Sequence, residues 1–104
     1  MSVALTARKL TVEEYVQVQE ILVRSFLKVP NRTLHYRTKF RLESKEVRSL
    51  EALAELYENH LALALTASEA EGNHLPPAAA SCLEDLRTKL DCAVADNDVE
   101  QLIG

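Results

Sequence analysis

Near the start of the chain, apolar residues return at roughly every third or fourth position. Val12, Tyr15, Val16, Val18, Leu22, Val23, Phe26 and Val29 cover one broad side of a helix, which is expected to stop near Val29 because Pro30 disfavours helical geometry at the residue before it. Thr11 and Glu14 have the spacing of a reciprocal capping box, and Leu10 and Tyr15 that of a hydrophobic staple, so the helix start is well specified. Two residues leave the pattern. Gln19 falls inside the apolar side, where a buried amide needs a hydrogen-bond partner, and reads as an interface or register device. Ile21 falls among Glu14, Gln17, Arg24 and Lys28, where one exposed apolar residue needs no explanation.

A longer pattern occupies residues 44–71. Val47, Leu50, Ala54, Tyr57, Leu61 and Ala64 form one seam, and Leu53, Leu56, His60, Leu63 and Ala67 a second beside it. Two adjacent seams give this second helix neighbours on two sides and place it at the centre of a bundle. Gly72-Asn73 supplies its left-handed cap. A third helix opens after Pro76-Pro77, proline being suited to a first turn, and carries Ala79, Cys82, Leu83, Leu86, Leu90, Ala93 and Val94 inward. Asp96-Asn97-Asp98 interrupts it, and residues 99–103 form a last short turn capped by Asp98.

Between the first two helices the period changes. Leu34, Tyr36, Thr38, Phe40 and Leu42 alternate with His35, Arg37, Lys39 and Arg41, which predicts a short β-strand over about 33–42 with one apolar and one basic face. The competing reading extends the second helix backwards through Phe40 and Tyr36. A lone strand is not stable, so the expected partner edge is residues 3–7, which also alternate, or the same strand of a symmetry mate.

Composition narrows the fold class. Leu, Ala and Val dominate a 47% hydrophobic content, aromatics are 5%, and tryptophan is absent, which suits helices better than sheet. The expected fold is mostly α: a single domain over 1–104, a small three-helix bundle with the basic strand between helix one and helix two. No apolar run reaches the roughly 18 residues of a membrane span, and MSVALTARKL lacks the apolar core of a signal peptide, so a cytoplasmic chain without membrane contact is expected. Cys82 and Cys92 lie about 15 Å apart along one predicted helix, too far for a disulfide, and are expected to be buried thiols.

The net charge of −4 conceals a strong asymmetry. Residues 1–27 carry three basic and three acidic side chains, residues 28–48 seven and two, and residues 49–104 two and eleven. A basic segment beside acidic helices either meets an anionic partner or serves assembly with a sister subunit. An exposed strand edge also carries Lys and Arg simply to discourage aggregation.

Chemistry is sparse by comparison. His35, His60 and His74 have no Cys, Asp or His at metal-ligand spacing, and Glu58-Asn59-His60 is not a zinc-protease motif. The acidic run 96–100 lacks the glycine and the terminal glutamate of a calcium loop, and Glu13-Glu14 and Glu84-Asp85 sit at helix starts, where the macrodipole favours negative charge. No nucleophile-elbow, phosphate-binding or dinucleotide loop is present. An enzymatic reading would need a cleft holding His60 beside a carboxylate.

The expectation is therefore a non-enzymatic protein–protein interaction module, an adaptor, chaperone-like or regulatory subunit, with no cofactor and no metal. Its binding residues are Arg32, His35, Arg37, Lys39 and Arg41, and its partner is a protein with an acidic surface or a second copy in a homodimer. The alternative is a nucleic-acid-associated protein using segment 32–48, which the acidic flanks and the lack of a nucleic-acid signature disfavour.

Overall fold

The helix that opens at the capping box is α1 (Val12–Ser25) in a computed structural model of the protein, which describes residues 9–29 and 33–103 and, for Thr33 and Leu34, the backbone alone. The box closes as the spacing predicts: the Glu14 amide donates to Thr11 Oγ1 at 3.1 Å and the Thr11 amide to Glu14 Oε1 at 3.0 Å. Leu10 and Tyr15 are both buried. The α-helix gives way to a 3-10 turn, Phe26–Lys28, and Val29 is extended, as the following proline requires. The apolar side of α1 is narrower than expected, for Val12 and Val16 are 74% and 53% exposed.

The predicted strand over 33–42 is not formed. This segment is helix α2 (Thr33–Glu43), followed by a 3-10 turn, Ser44–Glu46. Among the described residues the β-type pairing is an isolated antiparallel bridge between Lys9 and Ser49, and the proposed partner edge, residues 3–7, lies outside the described residues. A strand needs a neighbour to satisfy its backbone, whereas a helix satisfies its own. The apolar stripe this helix needs is short: Phe40 is fully buried and Tyr36 packs against the core at its edge. The Phe40 ring centroid lies 5.8 Å from Phe26 and 5.9 Å from Tyr57, and such aromatic pairs add about 0.5–1.5 kcal/mol each beyond area burial. Thr38 and Leu42, assigned by alternation to the same apolar face, are exposed.

The second predicted helix starts later than expected. Val47 is extended, Ser49 caps the Ala52 amide at 3.2 Å, and α3 (Leu50–Ala70) begins there. It is central, packing against α2 on one side and α4 (Pro77–Asp96) on the other. Its first seam is buried, while the second opens toward solvent at Leu63. Gly72 takes the left-handed conformation at φ +79°, which ends α3 where the sequence indicates. α4 opens with Pro77 in its first turn and ends at Asn97, also left-handed at φ 52°. Asp98 Oδ1 accepts from the Glu100 amide at 3.1 Å to start α5 (Glu100–Ile103). Leu83, Leu90 and Ala93 point inward as predicted, but Cys82 and Cys92 are exposed rather than buried, because the inward face of α4 centres on Leu83, Leu86 and Leu90. No described helix is long and apolar enough to cross a membrane.

Candidate interaction site

α2 carries most of the predicted binding residues, and its helical geometry changes how they are displayed. At about 100° per residue, His35 and Lys39 share one side of the helix and Arg37 and Arg41 share another, with the stripe of half-buried Tyr36 and buried Phe40 between them. The single basic face expected of a strand is thus split into two rails. Arg32 lies outside the described residues. His35, Lys39 and Arg41 are exposed and Arg37 is half-buried. The His35 ring stands edge-on to Tyr36, with centroids 5.0 Å apart.

A buried polar network fixes the helix in place. The Tyr15 hydroxyl donates to the Ser44 carbonyl at 2.6 Å, while Gln19 Nε2 donates to Ser44 Oγ at 2.8 Å and to the Tyr15 hydroxyl at 2.9 Å. Ser44 Oγ donates in turn to the Arg41 carbonyl at 3.1 Å. Gln19 therefore finds its partners within the chain and sets the register of α1 against the end of α2. Arg48 is committed too: its guanidinium stacks 4.3 Å over the Tyr15 ring and donates to the Lys45 carbonyl at 2.7 Å.

Ion-paired carboxylates among the described residues find their partners elsewhere than on the two rails. Among the described residues no ion pair involves Arg37, Lys39 or Arg41. α3 contributes Glu51, Glu55, Glu58 and Glu69 with no Lys or Arg, yet Glu58 turns to α4, where Arg87 grips it through Nε at 3.1 Å and Nη2 at 2.7 Å. This pairing raises the Arg87 pKa, the hydrogen bond that Arg87 donates to Glu58 being the main cause. Glu43 of α2 meets the buried His60 ring instead, Oε1 to Nε2 at 3.2 Å, and His60 Nδ1 is buried without a hydrogen-bond partner. The imidazole packs against Phe40, at 6.2 Å between centroids. No group of three or more His, Cys, Asp or Glu side chains converges on a metal-sized site among the described residues.

Sequence reasoning missed the Tyr15–Gln19–Ser44 network except for the misplaced amide that announced it. It also missed the partnership of Ser25 Oγ with the Tyr57 hydroxyl, 2.6 Å apart in the core. No protein-family model matches the chain, and no curated protein or solved structure matches it.

Proposed function

We propose that the chain is a small, non-enzymatic cytoplasmic interaction module, of adaptor or regulatory type, that engages an acidic protein surface through the cationic rails of α2. Arg37 and Arg41 form one rail and His35 and Lys39 the other, with Arg32 extending the segment toward the N-terminus. The observation that carries the reading is the lack of any ion pair to Arg37, Lys39 or Arg41 among the described residues, although the neighbouring helix α3 carries four glutamates and no Lys or Arg. Unpaired exposed cations retain their full capacity to steer an oppositely charged partner. A second copy offers such a surface on α3 and α4, and a homodimer is the first assembly to test. The test is light scattering at micromolar concentration for wild type and for Arg37→Glu/Lys39→Glu/Arg41→Glu. The reading expects a species larger than a monomer that the triple variant loses; a monomer whose capture of acidic proteins is unchanged by the triple variant would overturn it.

One observation favours a second reading. Cations on two sides of a helix suit two phosphate strands flanking a groove, so a nucleic-acid-associated role for segment 32–48 stands as the runner-up. The acidic α3 and α4 weigh against it by repelling phosphate.

A further inference from the structure

The helices α1 and α4 do not close against each other along their length. They are linked at one end through the Phe26–Lys28 turn, which packs on α4, and at the other through α5, which packs on α1. Between these props lies an open groove of about 270 Å³ walled by Ile21, Leu83 and Leu86. Ser25 lies in its lining, but the Ser25 hydroxyl is already bonded to Tyr57 and to the Leu22 carbonyl, so it offers the groove no free donor. A second recess of about 370 Å³ shares Ile21 and Arg24 with the first and continues along α1 to Val16 and Ile103. From Val16 to Lys28 the run measures about 18 Å at the helical rise. Ile21, the residue with no role in the amphipathic pattern of α1, is the apolar side chain common to both parts.

The lip of this groove is cationic. Arg24 and Lys28 are one turn apart and both line the first recess, which has no carboxylate in its lining, while the second has Glu20. Lys28 has no ion pair among the described residues, and the pair of Arg24 with Glu20 is an exposed i,i+4 contact of a kind that exchanges readily. The walls are helices whose backbone groups bond internally, so they present no edge to which an extended strand could add. The occupant must satisfy its own backbone and bring both apolar and negatively charged side chains. We infer that the α1–α4 groove is a docking site for an amphipathic, acidic helix of another protein, its aliphatic residues packing on Ile21, Leu83 and Leu86 and its carboxylates meeting Arg24 and Lys28. This inference is independent of the reading of α2.

The two cysteines supply a built-in test. Cys82 lines the groove, while Cys92, also exposed, lies about 15 Å farther along α4. The probe is a synthetic amphipathic helix of about 18 residues, with leucines at heptad spacing and glutamates on its flanks, compared with a counterpart carrying lysines for glutamates. Alkylation of each thiol in the intact protein is followed by mass spectrometry. The glutamate probe is expected to slow alkylation of Cys82 and leave Cys92 unchanged, with the lysine probe about tenfold weaker. Arg24→Glu/Lys28→Glu, at exposed positions, should reverse that preference while circular dichroism is unchanged. The inference is overturned by no protection of Cys82, by equal protection from both probes, or by equal protection of both thiols. It is also overturned by protection that grows with protein concentration alone, which would assign the groove to a second copy.

Discussion

Tyr15 and Ser44, 29 residues apart in sequence, are joined by a 2.6 Å hydrogen bond from a buried phenol to a backbone carbonyl. That bond fixes where α2 leaves the core, and with it the direction in which Arg37 and Arg41 are presented. Tyr15→Phe removes the donor and deprives Gln19 of one of its two acceptors. The expected cost is about 1–3 kcal/mol, the penalty for a buried acceptor left unmade, read as a lower midpoint in urea with the slope unchanged.

Phe40 and Leu42 separate the helical from the extended form of this segment. A strand would bury both on one face, whereas here Phe40 is 0% and Leu42 57% exposed. Phe40→Ala should destabilise by about 3–5 kcal/mol, and Leu42→Lys should remain within about 0.5 kcal/mol of wild type. Comparable losses from both substitutions in denaturant titrations would count against the helix.

Tyr57 predicts an alkaline limit. Burial pushes its phenol up to about 12 from 10.0, the hydrogen bond with Ser25 opposing the shift only in part. The folded state thus favours the protonated phenol, so this contribution is full below about pH 10 and is lost as pH rises toward 12. Stability measured across that window should fall less steeply in Tyr57→Phe than in wild type, once each is referred to its own value at neutral pH.

The cations of α2 should contribute little to folding. Arg37→Glu/Lys39→Glu/Arg41→Glu is expected to keep the helical spectrum and to change stability by less than about 1 kcal/mol, since no ion pair among the described residues is lost. If duplex DNA binds instead, neutralising about five phosphates implies a log–log salt slope near −4.5, which the triple variant should flatten.

Much of the frame was legible because it is written in local chemistry. A threonine three residues before a glutamate, a glycine at +79°, a proline in a first turn and an asparagine at 52° each stop or start a helix through their own backbone or nearest neighbours. The segment 33–42 was misread because its alternation spans few residues, and among its described side chains only Phe40 and Tyr36 reach the core. Their four-residue spacing meets a helix as well as their even numbering meets a strand, and the choice falls to Phe26, Tyr57 and His60, which no local pattern reveals. For the same reason the basic residues of the candidate site were chosen from the sequence, but their division into two rails was not foreseen. Cys82 and Ile21 were misjudged together: α1 and α4 are linked near their ends and not packed along their length, so these two side chains line an opening between the helices.

The short arm before α1 is stitched to the α2–α3 joint, with the Leu10 amide on the Arg48 carbonyl at 2.6 Å, Lys9 bridged to Ser49, and Arg48 resting on Tyr15. Tension applied ahead of Lys9, by a fused tag or a tethered neighbour, is therefore delivered to the joint from which the cationic helix hangs.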